Sequence, residues 1–161
     1  MQDRPASAIL FVCMGNICRS PTVEAVARVG FARAGLDISV ASAGTEGYHI
    51  GDRADPRSIA MAEAHGYPLA AHRARQVSAE DFERFDHLLA MDKVNLRVLL
   101  ARAPAVARSR VALFLPFAGI EGIEELQDPY AGGSADFQRA LDLARDGIDA
   151  LVRRLGHNRG Q

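Results

Sequence analysis

The apolar run Ile9-Leu10-Phe11-Val12 leads without a break into Cys13-Met-Gly-Asn-Ile-Cys-Arg19-Ser20, and Pro21 then opens a stretch with helical spacing. A continuous apolar run is what a parallel strand covered on both faces requires. Proline in a first helical turn forfeits nothing, because the N–H groups there have no intrahelical partner. The chain must therefore turn from the carboxyl end of a buried strand into a helix through a loop carrying a thiol, a glycine and an arginine. Gly15 lets the backbone pass where a side chain would obstruct it, and Asn16 tolerates a left-handed conformation. Such a loop aims backbone N–H groups at one point, where the helix N-terminus and Arg19 add positive charge. The expectation is an anion cradle with Cys13 at its base, favoured as the reactive thiolate and able to attack phosphorus. Two incidental buried cysteines would need none of this placement.

Strand and helix patterns alternate along the rest of the chain. Val23, Val26, Ala27 and Gly30-Phe31 carry the first helix to about Ala34, with Gly35 as its stop. Leu36 to Ala41 reads as a second strand with Ser42-Ala43-Gly44-Thr45 as its exit, and residues 45–56 as a surface loop. Pro56 opens a helix to about His65, and Ser78-Ala79-Glu80-Asp81 resembles a capping start. His87 to Met91 is a third strand, Asp92 begins a helix carrying Leu96, Leu99 and Leu100, and Val111 to Phe117 is a fourth strand. A final helix from about Ser134 to Leu155 lines up Phe137, Leu141, Ala144, Ile148, Leu151 and Leu155 on one face. The pattern predicts an α/β fold, a parallel sheet covered on both sides, in one domain spanning residues 1–161. Ligands of such sheets bind beyond the carboxyl ends of the strands. Cys13–Arg19, Ser42–Thr45, Asp92 and, after a longer excursion, Asp128 all arrive at that edge.

A net charge of -1 gives no general case for nucleic-acid binding. The N-terminal residues include Asp3 and Arg4, and the apolar run after them is too short for a signal peptide or a membrane span. With both cysteines in one loop there is no long-range disulfide framework, so a cytoplasmic, reducing location is expected. Cys18 and Cys13 lack the neighbouring His or Cys partners of a metal site, and neither metal nor organic cofactor is expected. The loop also lacks the Gly-Lys-Ser/Thr ending of a nucleotide-binding loop and the Gly-x-Gly-x-x-Gly of a dinucleotide site.

Phosphoryl transfer to a side chain needs a nucleophile, stabilisation of the equatorial oxygens and a proton for the leaving oxygen. Cys13 supplies the first. The loop amides and the planar fork of Arg19, which matches two phosphate oxygens, supply the second. Asp128, its backbone held extended by Pro129, is the candidate acid, although it reads equally well as a turn aspartate. Ser20 can donate to the sulfur or serve as an ordinary serine at a helix start.

Cys13-Met-Gly-Asn-Ile-Cys-Arg-Ser-Pro21, Ser42-Ala-Gly-Thr45, His72-Arg-Ala-Arg75-Gln, Met91-Asp92 and Asp128-Pro-Tyr130, taken together, resemble the low-molecular-weight protein tyrosine phosphatases. The resemblance runs in order over almost the whole chain and implies a four-stranded sheet of order 2-1-3-4. It implies that Cys13 forms a phosphocysteine, that Arg19 binds the phosphoryl group within the loop Met14, Gly15, Asn16, Ile17, Cys18, Arg19 and Ser20, and that Asp128 serves as acid and then base. Asn16, Ser20, Ser42, His72 and Asp92 match positions that support the loop, and Tyr48 and Tyr130 match aromatic walls that would stack on a phenyl ring. Ala131 stands where some members carry a second tyrosine, so one wall should be lower. The implied partner is a tyrosine-phosphorylated protein, such as a tyrosine kinase of a bacterial polysaccharide system, met by a monomer or a weakly self-associating chain.

The short loop holding Cys13 and Cys18 further suggests a redox pair that closes on mild oxidation. Arsenate reduction on the same fold would need further cysteines to relay a disulfide. Protein-arginine phosphatases carry threonine where Ile17 stands, and a bulky apolar residue there favours a phenyl ring. A phosphotyrosine-binding module of low turnover would need neither the thiol nor the acid.

Overall fold

The computed structural model describes residues 7–159, so Asp3 and Arg4 lie outside the described residues. The central strand β1 (Ala8–Cys13) pairs in parallel with β2 (Ser39–Gly44) on one side and β3 (His87–Ala90) on the other. β4 (Val111–Leu113) joins β3, which completes an all-parallel sheet of order β2-β1-β3-β4. Around it lie α1 (Arg19–Arg33), α2 (Pro56–Ala64), α3 (Asp81–Arg84), α4 (Lys93–Arg102), α5 (Phe114–Ala118) and α6 (Ser134–Arg159).

Successive side chains of a strand point to opposite faces, and β1 divides its apolar residues accordingly. Ile9, Phe11 and Cys13 enter the core formed with α1, α5 and α6, whereas Leu10 and Val12 enter a second core with Phe82, Phe85 and Leu99. Every residue of Ile9–Val12 is fully buried, as an all-apolar central strand demands.

Two predicted strands end differently. The second was expected over 36–41 but pairs over Ser39–Gly44, because β1 runs on to Cys13 and Cys13 pairs with Gly44. The small residues that looked like an exit are needed inside the strand. A Cβ on Gly44 would stand 2.6 Å from the Met14 carbonyl oxygen, so only glycine lets the loop after β1 fold back across β2. The fourth strand was expected over 111–117 but stops at Leu113, where α5 begins. Pro116 cannot donate to a sheet ladder but is tolerated in a first helical turn, and Phe114 turns inward to meet Phe11 edge-on at 5.6 Å. Gly119, at φ +101°, ends that helix in the left-handed region.

Candidate active site

Residues 13–19 form a tight loop between β1 and α1, and the loop is shaped mainly by Asn16. This residue is completely buried and has φ +60°, the left-handed geometry that asparagine tolerates better than most residues. Its side-chain amide donates to Ser20 Oγ at 2.9 Å and to Ser42 Oγ at 3.0 Å, and its Oδ1 accepts from the Arg75 amide at 2.9 Å. Its carbonyl oxygen lies 2.8 Å from His72 Nε2, so that ring nitrogen must carry the proton. Ser42 passes the network on to Glu24 at 2.6 Å, and Glu24 pairs with Arg28 at 2.7 Å.

Cys13 Sγ sits at the floor of the loop, 2.9 Å from Ser20 Oγ, and accepts from the Asn16 amide at 3.3 Å. Because Ser20 Oγ already accepts from Asn16 Nδ2, its own hydrogen is free for the sulfur; the other acceptor in reach, the Ala43 carbonyl, is at 3.5 Å. Two donors, the Ser20 hydroxyl and the Asn16 amide, thus converge on the sulfur.

Arg19 begins α1 yet is only 4 % exposed. A buried guanidinium must be paired. Nη1 donates to Asp92 at 2.7 Å and to the Leu126 carbonyl at 3.1 Å, and Nη2 lies 3.9 Å from Asp128 Oδ2. Burial works against its charge, but Cys13, Asp92 and Asp128 together outweigh it and hold the guanidinium above its ordinary value. Asp92 has two tasks: one oxygen holds Arg19 and the other caps α4 through the Asn95 amide at 2.8 Å.

The cleft above the loop is lined by Cys13, Met14, Gly15, Ile17, Cys18, Arg19, Tyr48, His49, Asp128 and Tyr130. Tyr48 and Tyr130 stand exposed at its mouth. Cys18 is buried and free, as is Cys13. Burial, with the nearby Asp55 charge adding to it, pushes the Cys18 thiol up to about 12. Each sequence-selected residue thus falls in the loop, in the shell bonded to it or on the cleft wall. Sequence reasoning missed His49 on the wall, Glu24 beneath Ser42, the Arg75 amide, the Leu126 carbonyl and the Asp55–Arg57 pair beside the cleft. Backbone groups leave no mark in a sequence, and the others become neighbours only through the fold. Among the described residues no group of three or more His, Cys, Asp and Glu side chains could hold a metal ion, and no helix is long and apolar enough to cross a membrane.

The sequence model of the family described as low molecular weight phosphotyrosine protein phosphatase matches residues 8–161. A protein of that description from Schizosaccharomyces pombe is 42 % identical over 132 residues, covering 80 % of this chain and 84 % of its own. The crystal structure of a protein tyrosine phosphatase from Entamoeba histolytica, with Hepes in its active site, superimposes with a TM-score of 0.90 at 35 % identity, over 96 % of this chain and 99 % of that one. Wzb from Vibrio vulnificus, solved in complex with benzylphosphonate, superimposes at 0.82 with 30 % identity, over 92 % and 98 % of the two chains.

Proposed function

The chain belongs to the low molecular weight phosphotyrosine protein phosphatase family and is a protein-tyrosine phosphatase, and on that premise we propose that it works through a phosphocysteine on Cys13. The observation that carries this reading is the sulfur on the loop floor, met by Ser20 Oγ at 2.9 Å and the Asn16 amide at 3.3 Å. In the first step the Cys13 thiolate attacks phosphorus and the bond to the tyrosyl oxygen breaks. Arg19 and the loop amides hold the three equatorial oxygens as charge spreads over them. Asp128, in its acid form at the cleft wall, gives its proton to the departing oxygen. In the second step Asp128, now a carboxylate, takes a proton from water as that water attacks phosphorus. The S–P bond breaks, and Ser20 and the Asn16 amide receive the returning thiolate.

Tyr48 and Tyr130 flank the path to the sulfur, a setting suited to a phenyl ring, and the depth of the loop disfavours a short phosphoserine side chain. Ile17 on the same wall supports an aryl substrate over phosphoarginine. The Vibrio relative was solved in complex with benzylphosphonate, which joins a phenyl ring to a phosphonate. Among tyrosine-phosphorylated proteins, a tyrosine kinase of a bacterial polysaccharide system is the partner we propose, and a cytoplasmic chain would meet it.

Hydrolysis of para-nitrophenyl phosphate in the presence of EDTA tests the mechanism. The native protein is expected to be active, Cys13→Ser inactive, and Asp128→Ala slowed by about 100-fold, within the usual range for a lost general acid. Activity that survives in Cys13→Ser would overturn the phosphocysteine. No activity in the reduced native protein would favour a binding module.

A further inference from the structure

Residues 127–133 carry Asp128 and are bonded within themselves and to the first turn of α6: the Tyr130 amide donates to Asp128 Oδ1 at 3.0 Å, the Gly132 amide to the Pro129 carbonyl at 2.8 Å and the Gly133 amide to Asp136 Oδ2 at 2.9 Å. Asp128 Oδ2 stands 3.9 Å from Arg19 Nη2, beyond hydrogen-bond distance, so this half-exposed acid gains from a further tie if it is to meet a leaving oxygen within hydrogen-bond reach. Arg57, at the start of α2, is placed to provide one. Its guanidinium carbon lies 5.4 Å from the Tyr130 ring centroid and 4.5 Å from that of Phe137, in the first turn of α6. The Asp55 carboxylate fixes the guanidinium from the other side, accepting from Nε at 3.1 Å and from Nη2 at 2.9 Å. Asp55 is itself tied to the phosphate-side loop, because its amide donates to the Ile17 carbonyl at 2.8 Å.

We propose that Asp55 and Arg57 form a latch that sets Asp128 relative to Cys13, running from Ile17 through Asp55 and Arg57 to the Tyr130 ring two residues beyond the acid. Arg57 touches no reacting atom and is a positioning residue. A fork-shaped cation suits this task, because one edge can pair with a carboxylate while the flat face lies over a ring. The inference rests on the reading of Asp128 as the acid, and its consequence is specific. Loosening the latch harms the step in which a poor leaving group needs a proton and spares the attack of Cys13 itself.

The test compares kcat/KM for phenyl phosphate, whose leaving oxygen must be protonated, with that for 2,4-dinitrophenyl phosphate, whose leaving group departs as the anion. In Arg57→Ala the first is expected to fall about tenfold and the second to stay within twofold, an order set by the usual size of acid catalysis. The ratio of the two is independent of the fraction of protein that folds. The alkaline fall of kcat/KM on phenyl phosphate is expected to be blunted in Arg57→Ala as in Asp128→Asn, and adding Arg57→Ala to Asp128→Asn should cost nothing more. Equal losses on both substrates, no loss on either, or full additivity with Asp128→Asn would overturn the latch. If Asp128→Asn itself does not discriminate between the two substrates, the acid reading is what fails and the latch falls with it.

Discussion

Cys18 lies in the same loop as Cys13, the nucleophile we propose, and burial and a nearby carboxylate set its thiol. Burial and Asp55 hold its thiol at about 12, so near neutral pH it keeps its proton. If peroxide converts Cys13 to a sulfenic acid, Cys18 can close a disulfide with loss of water, and that step needs its thiolate. Closure should therefore speed up about tenfold per pH unit as pH rises toward the Cys18 value. Cys18→Ser should lose the activity that dithiothreitol restores after peroxide; equal recovery in the two proteins would exclude the pair. The same raised value bears on folding. The native thiol stays protonated where the unfolded one, near 9.0, ionises, so its stabilising contribution is full below pH 9 and is lost between there and about pH 12. Urea midpoints at pH 8 and pH 10.5 should converge in Cys18→Ser. Ile17 offers a test of selectivity, since its carbonyl is fixed by the Asp55 amide at 2.8 Å and only its side chain is free to vary. Ile17→Thr should raise turnover of phosphoarginine relative to phosphotyrosine peptides by roughly tenfold, the lower end of what one apolar contact discriminates. An unchanged ratio would show that the wall at this position does not choose the substrate.

At the scale of elements, the crossing of the Cys13 loop over β2 is the tightest joint in the site. A side-chain carbon at Gly44 would meet the Met14 oxygen at 2.6 Å, the Glu46 oxygen at 3.1 Å and the Gly15 carbonyl carbon at 3.2 Å. All three are backbone atoms, so no rotamer change can relieve the contact. Gly44→Ala should cost about 1–3 kcal/mol of stability, as overpacking does, and should lower kcat/KM on aryl phosphates by more than tenfold. Paired denaturation and kinetic assays would check it, and an alanine variant with native kinetics would mean that the loop position is not critical. This joint also marks how far the sequence could be read. The apolar run of β1, Pro21 at the start of α1 and the glycines closing helices act through their own backbones, and their elements were legible. The bounds of β2 and β4 were not, because they depend on which neighbour each strand pairs with. Phe114 reads as one more apolar strand residue until Phe11 is known to lie beside it. The same division holds in the site: Cys13, Asn16, Arg19 and Asp128 carry their chemistry in their side chains, whereas Arg57 acquires its place only when α2, α6 and the Asp128 segment come together.

For the molecule as a whole, the loop joins parts that are far apart in the chain. Arg19 reaches Asp92 and the Leu126 carbonyl, and Asn16 reaches Ser42, His72 and Arg75, so β2, β3 and the segments after α2 and α5 all converge on it. A dianion seated among the loop amides would hold all of these parts at once while offsetting the positive charge gathered there. Binding to the folded state alone stabilises by about 2.7 kcal/mol at a ligand concentration 100 times its Kd. For a chain of this length each kcal/mol moves the melting point by about 2–4 °C, so saturating phosphate should raise Tm by about 5–10 °C. Cys13→Ser should keep that shift, because it leaves the loop amides and Arg19 in place. Arg19→Lys should lose more than half of it, since an ammonium cannot reproduce the two-pronged contact that the guanidinium offers while it is held by Asp92. Melting curves at matched ionic strength, with chloride replacing phosphate, would decide the matter. An equal shift in native protein and Arg19→Lys would place the stabilising anion away from the loop, and the loop would then not be the joint that fastens the sheet to its helices.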